Sequence, residues 1–277
     1  MSDPELLKTE VLLEGLKFPE SPRWHEEKLW FSDMDLKKVM TVDLNGTSEI
    51  ILEMQDSPSG LGWLPDGRLL IVSMDEELLL RLDSDGIKIV ADLKPLVTFK
   101  CNDMVVDKQG RAYIGNFGFD YNKERFKPAE IILVKPDGIA QVVADNMAFP
   151  NGTVITPDDK TLIVAETFGS RLTAFDIKDD GLLENRRIWA NMQGTIPDGI
   201  CLDAEGGIWF ASPGRSKVFR VLEGGKITHE VQVSTQAYAC MLGGPDRSTL
   251  FVATSTSDRS SGQIEIVGVE NPGAGLP

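Results

Sequence analysis

Short runs of β-forming apolar residues recur along the chain at a nearly constant spacing. They are Leu29-Trp30-Phe31, Leu69-Leu70-Ile71, Ala112-Tyr113-Ile114, Thr161-Leu162-Ile163, Ile208-Trp209-Phe210 and Thr249-Leu250-Phe251, with central residues 40, 43, 49, 47 and 41 apart. Each run follows a turn: Glu26-Glu27, Pro65-Asp66-Gly67, Asp107 to Gly110, Pro157-Asp158-Asp159, Asp203 to Gly207, or Pro245-Asp246. Asp, Gly and Pro favour such turns through local hydrogen bonding, positive φ and fixed φ respectively. A third strand follows in most copies, as in Val39 to Val42, Leu79 to Leu82, Ile131 to Val134 and Val218 to Val221. Long amphipathic helical patterns are nearly absent. Six copies of this length predict an all-β fold, a six-bladed β-propeller of four-stranded antiparallel blades. A β-sandwich also has many short strands but needs no six-fold repeat. The stretch Glu10-Val11-Leu12-Leu13 reads as a spare strand that completes the last blade beside Gln263 to Val267. That N-terminal strand would close the ring and remove an exposed edge.

Composition narrows the picture. The 277 residues are 42% hydrophobic, enough for a large core, and no linker divides them, so residues 1–277 read as one domain. The formal net charge of −15 argues against nucleic-acid binding and otherwise serves solubility. No apolar run approaches the ~20 residues of a membrane span. The start, Met1 to Glu5, lacks a signal-peptide pattern. The three cysteines are scattered, with no C-x-x-C pair, and read as reduced buried thiols in a cytoplasmic protein.

In a propeller, equivalent positions on the innermost strands converge at the central channel. Counting back 11 residues from the centre of each run gives Ser59, Asn102, Asn151, Asp198 and Ala239; the shorter first turn makes the count 10, which gives Glu20. Taken singly, Asn151-Gly152 and Pro197-Asp198-Gly199 read as turns. Their shared register, followed by alternating apolar residues such as Met104 and Val106 or Ile200 and Leu202, places them on strands instead. Two carboxylates and two amides make an oxygen-only set, suited to Ca²⁺, Mg²⁺ or Mn²⁺. A cation would balance the two carboxylates, either as a structural ion or as part of a catalytic site.

These residues carry a resemblance. Glu14-Gly15-Leu16 through Pro19-Glu20-Ser21-Pro22, Cys101-Asn102-Asp103, Phe149-Pro150-Asn151-Gly152, Ile196-Pro197-Asp198-Gly199, Ala239 to Asp246 and the ending Pro272 to Pro277 run in the order and spacing of one family. Over nearly its whole length the chain resembles the senescence marker protein / gluconolactonase / luciferin-regenerating enzyme propellers, metal-dependent lactonases. The resemblance implies that Glu20, Asn151 and Asp198 are metal ligands, with Asn102 a fourth ligand or a substrate contact. It implies that Asp198 also acts as general base, and it assigns Lys100, Asn102, Asp103 and Asp120 to substrate binding. The cation expected first is Ca²⁺, with Mg²⁺, Mn²⁺ or Zn²⁺ as alternatives. Lys100 stands where sugar-lactone members carry arginine, and a point charge replaces a planar fork. This argues against gluconolactone itself as the best substrate. The loop from Phe117 to Ala129 is the longest insertion and a candidate lid.

The expected chemistry is acyl transfer from a small-molecule lactone to water. A metal would polarise the carbonyl, and Asp198 would take a proton from the water. A Ser-His-Asp enzyme is disfavoured, because His25 and His229 are the only histidines and both read as surface residues. Cys101 and Cys201 read as packing residues, Tyr238 as a residue of the cavity mouth, and Asn116 and Glu166 as supports behind the ligands. Two other functions stay open: a non-catalytic binding propeller with a structural ion, and an organophosphate hydrolase using the same pocket.

Overall fold

The computed structural model describes residues 5–192 and 194–275. Met1 to Pro4 at the start, and Leu276 and Pro277 of the ending quoted above, lie outside the described residues. Six antiparallel sheets succeed one another along the chain. Blade 1 is Pro19–His25, Lys28–Asp33, Lys38–Val42 and Ser48–Glu53. Blade 2 is Pro58–Trp63, Leu69–Ser73, Leu78–Asp83 and Gly86–Asp92; blade 3 is Cys101–Val106, Ala112–Asn116, Ala129–Val134 and Ala140–Met147. Blade 4 is Pro150–Ile155, Thr161–Glu166, Arg171–Ile177 and Leu183–Asn191; blade 5 is Ile200–Leu202, Ile208–Ser212, Lys217–Leu222 and Lys226–Gln232. Blade 6 takes Gln236–Gly243, Thr249–Ser255 and Gly262–Gly268 from the C-terminal part of the chain. Its outer strand is Glu10–Leu16, antiparallel to Gly262–Gly268, so the ring closes as the sequence indicates.

The N-terminal segment does more than this. Glu5–Lys8 pairs parallel with Lys226–Gln232, adding a fifth strand to blade 5. Thr9 stands between the two pairings, and its hydroxyl contacts both the Gln232 carbonyl and the Glu265 carboxylate. The closing segment therefore bridges two blades.

The repeated turns are held by their acids. Asp107 accepts the backbone N–H groups of Gln109 and Arg111, and Asp203 those of Glu205 and Gly207, at 2.9–3.0 Å. The core fills the space between neighbouring sheets; Trp24 of blade 1, for example, stacks on Phe251 of blade 6 at 5.3 Å. Such face-to-face packing of sheets around an axis brings the six innermost strands together. No helix among the described residues is long and apolar enough to cross a membrane.

Candidate active site at one end of the central channel

The pairing between the first and second strands breaks near the start of the first strand in five blades. Register shifts fall between Glu20 and Arg23, Pro58 and Leu61, Cys101 and Met104, Pro150 and Thr153, and Ala237 and Ala239. In blade 5 the regular strand begins only at Ile200, just past Asp198. These irregularities sit at the positions that the 11-residue count selects. A break in the ladder re-aims side chains that would otherwise alternate across the sheet.

The glycines beside these positions explain how the strands fit. A Cβ on Gly152 would lie 2.4 Å from the Ile200 nitrogen, and one on Gly199 would lie 2.4 Å from the Ala239 Cβ. Neither glycine has positive φ. They serve close approach of neighbouring blades at the axis and not the turns that Asn-Gly and Asp-Gly pairs often mark.

Glu20, Asn102, Asn151 and Asp198 converge on one cavity of about 510 Å³. All four side chains are more than nine-tenths buried as residues, at 7%, 4%, 8% and 7% exposure. Their hydrogen bonds orient the amides. Asn102 donates its Nδ2 to the Pro150 carbonyl at 3.3 Å, a partner that can only accept. The Thr167 hydroxyl donates to the Pro197 carbonyl at 2.9 Å and accepts from Asn151 Nδ2 at 3.3 Å. The amide nitrogens are thus assigned by their partners, which leaves the amide oxygens as donors for a ligand.

The carboxylates are the costly part of the site. Burial, opposed by the Ser21 N–H bond and reinforced by Asp103, pushes Glu20 up to about 7. Burial, then the charges of Glu20 and Asp103, holds Asp198 well above the carboxylate range. Asp198 Oδ1 is buried with no hydrogen-bond partner among the described residues. An orphaned buried acceptor next to a second carboxylate fits a divalent cation with oxygen ligands. No group of three or more His, Cys, Asp or Glu side chains among the described residues is arranged to hold a metal. The set here depends on amides for half of its donors.

The other expected residues divide into two groups. Lys100 and Asp120 line the cavity, Lys100 paired with Asp75 and Asp120 with Lys123 at 3.0 Å. The Lys123 pair and the Asn122 N–H keep Asp120 below the usual carboxylate range. Tyr238 also lines the cavity. Asp103 does not reach the cavity wall, contrary to the expected substrate contact. Its carboxylate accepts from Arg23 at 2.8 Å, and Arg23 also donates to the Met104 and Pro22 carbonyls. This buried pair lies beneath the acidic cluster. Asn102 lines the cavity, while the Arg23 pair turns the neighbouring Asp103 away from it.

Asn116 and Glu166 also stand off the wall, and their roles are structural. Asn116 donates to the Glu130 carbonyl and accepts from the Gly118 N–H, which shapes the start of the long loop. Glu166 takes Arg171, the Thr173 hydroxyl and the Ala148 N–H. The last of these contacts holds the residue before Phe149, whose φ is +63°. An aromatic residue in this region is strained, and strained residues gather at functional sites.

Cys101 packs in the core of blades 2 and 3, and burial pushes its thiol up. Cys201 lies 3.9 Å from Cys240, sulfur to sulfur, in the core of blades 5 and 6. The histidines are not plain surface residues. His25 is partly buried, with its ring stacked on Trp63 at 4.0 Å, and His229 is partly buried beside Trp209 and the Thr228 hydroxyl. Neither lines the cavity.

A second ring of residues was missed by the count along the first strands. The residue directly after the second strand of blades 1 to 5 is Met34, Met74, Phe117, Thr167 and Pro213, and all five line the cavity. In blade 6 the equivalent loop delivers Arg259, whose guanidinium lies 3.7 Å from the centre of the Phe18 ring and 3.6 Å from Asp35. The repeat contains this signal. The second strand runs antiparallel to the first, so its last residue returns to the ligand end and the next one meets the cavity. Phe149 and Phe168 complete the wall.

A propeller with a buried acid–amide cluster at one end of its channel defines the class of this protein. The family model described as SMP-30/Gluconolactonase/LRE-like region matches residues 18–256, and the chain belongs to that family. It is 27% identical to regucalcin of Xenopus laevis, covering 88% of this chain and 85% of that one. It is 23% identical to 6-deoxy-6-sulfogluconolactonase of Pseudomonas putida, covering 88% and 86%. Among solved structures it superposes on the calcium-binding protein regucalcin of Agrobacterium tumefaciens with a TM-score of 0.84, at 22% identity, covering 99% of each chain.

Proposed function

We propose that this chain is a metal-dependent lactone hydrolase. The observation that carries the reading is the convergence of Glu20, Asn102, Asn151 and Asp198 in one cavity, with a buried Asp198 oxygen that lacks a partner. Glu20, Asn151 and Asp198 would hold a divalent cation, with Asn102 as a fourth ligand or a contact to substrate. A cation bound there supplies Lewis-acid polarisation of the ester carbonyl and balances the two carboxylates. Asp198 would take a proton from the attacking water and return it to the ring oxygen as the acyl C–O bond breaks, which gives the open-chain hydroxy acid. Asn102 and Tyr238, which line the same cavity as Asp198, would orient the lactone. No covalent nucleophile is needed for this chemistry. The similarity to the Pseudomonas putida 6-deoxy-6-sulfogluconolactonase and to the calcium-binding regucalcin of Agrobacterium tumefaciens supports this reading.

The test is proton release from a lactone panel, measured with chelated protein and with protein restored by Ca²⁺, Mg²⁺, Mn²⁺ or Zn²⁺. The expected result is turnover that is lost on chelation and returns with one or more cations. A folded protein that binds a cation yet opens no lactone would overturn the reading and leave a ligand-binding propeller.

A further inference from the structure

The wall of the cavity is chemically unlike its floor. Above the acid–amide cluster, Phe117 and Phe149 stack at 4.5 Å, and Phe149 meets Phe168 at 5.1 Å and Tyr121 at 5.9 Å. Phe119 packs behind them, 5.4 Å from Phe168 and 5.6 Å from Phe126. These rings form one connected cluster contributed by the long loop of blade 3, the segment leading into blade 4 and the loop after its second strand. Three aromatic residues, Tyr121, Phe126 and Phe168, stand among the exposed large hydrophobics of the described residues, and all three belong to this cluster. Exposed apolar surface of this kind, gathered at a cavity and not scattered, marks a binding surface.

Several polar groups of the wall are already engaged within the chain, while the Tyr238 hydroxyl and the Asn122 side chain also line it. Lys100 pairs with Asp75, Asp120 with Lys123, and the Thr167 hydroxyl donates to Pro197. Arg259 lies over Phe18 beside Asp35. A polyhydroxylated ring needs several hydrogen-bonding partners at fixed positions, and a site that fails to pair its hydroxyls loses affinity through their desolvation. A cavity of about 510 Å³ exceeds the needs of a bare lactone ring seated on the floor and leaves room beside the aromatic cluster.

We propose that the substrate is a lactone whose ring carries an apolar substituent, lodged among Phe117, Phe149 and Phe168, and not a polyhydroxylated sugar lactone. The inference rests on the lactonase reading above. The lactone carbonyl sits at the floor, and the substituent extends along the blade 3 and blade 4 wall toward the mouth. Phe149 is the central ring of this wall, held at positive φ by the Glu166 contact to Ala148. Phe168, 53% exposed, lies at its rim.

The test uses the metal-restored full chain and three six-membered lactones: δ-valerolactone, δ-decalactone and glucono-δ-lactone, with spontaneous hydrolysis subtracted. The expected kcat/KM for δ-decalactone exceeds that for each of the other two by roughly tenfold or more, since even single methylenes in an apolar pocket are discriminated on that scale. Phe168→Ser, at a position 53% exposed, narrows the ratio of δ-decalactone to δ-valerolactone by about threefold or more, with the loss falling on KM. If glucono-δ-lactone is opened as well as δ-decalactone, or if Phe168→Ser leaves the ratio unchanged, the inference is overturned while the lactonase reading stands. If none of the three is opened under any cation, both readings fall together.

Discussion

Glu20, Asn102, Asn151 and Asp198, at the floor of the cavity, ride at or just before the innermost strands. Phe117, Phe168 and Arg259, on its wall, come from loops that follow second strands. The floor is pinned by the ladders of several blades and by glycines that let those strands touch. The wall is pinned by ring-on-ring contacts within two neighbouring blades. Reactive groups need fixed geometry, which rigid elements supply; substrate choice tolerates variation, which loops supply. On the proposed reading, the floor decides whether chemistry happens and the wall decides on what.

The largest effect is expected at the floor. Asp198→Asn removes the proposed base and one negative ligand, and lowers kcat by roughly 10²–10⁴-fold with the fold retained by circular dichroism. Activity within a few-fold of wild type would remove Asp198 from that role. Next comes the layer beneath the floor. Arg23→Met leaves Asp103 buried without its cation, which costs about 3–5 kcal/mol of stability in a denaturant titration. A variant as stable as wild type would show that the Arg23–Asp103 pair is not a structural part of the floor. Glu20→Gln follows, with cation affinity weakened by about tenfold or more, or about 1.4 kcal/mol, in calorimetric titration. Undiminished affinity would exclude Glu20 as a ligand.

A pH dependence isolates the same carboxylate. Glu20 has its folded value raised from 4.5 to about 7, so metal-free native protein binds more protons than the unfolded chain between these values. Its penalty is absent below about 4.5, grows as pH rises and is complete above about 7. In chelator, the melting temperature of wild type relative to Glu20→Gln should therefore fall from pH 5 to pH 8, and a bound cation should flatten the trend. A difference that stays constant with pH would mean that Glu20 is not held in its protonated form by burial.

The first ring was legible in the sequence because it is periodic. A count of 11 residues back from each hydrophobic run, or 10 in the first blade, reaches Glu20, Asn102, Asn151 and Asp198, and the cavity contains all four. The same logic, applied one residue past each second strand, reaches Met34, Met74, Phe117, Thr167 and Pro213. Asn116 and Glu166, read as supports behind the ligands, lie one residue before these positions, and their side chains hold the adjoining loops. Arg259 was harder to find, because its loop in blade 6 has its own length and the guanidinium must cross back to Phe18 of blade 1. Asp103 was misplaced because a motif of adjacent residues does not say which neighbour faces the axis.

Taken alone, the sequence determined the number of blades, the closing role of the stretch Glu10 to Leu13 and the identity of the acid–amide ring. Each of these is written in a local period that strand geometry translates directly into position. Only the tertiary structure decided that Glu5–Lys8 also joins blade 5, that Arg23 holds Asp103 under the site, and that Phe149 gathers an aromatic wall from two blades. These depend on which surfaces meet when the ring closes. Contacts between residues far apart in the chain, such as Arg23 and Asp103 at a separation of 80 positions, have no local signature in the sequence.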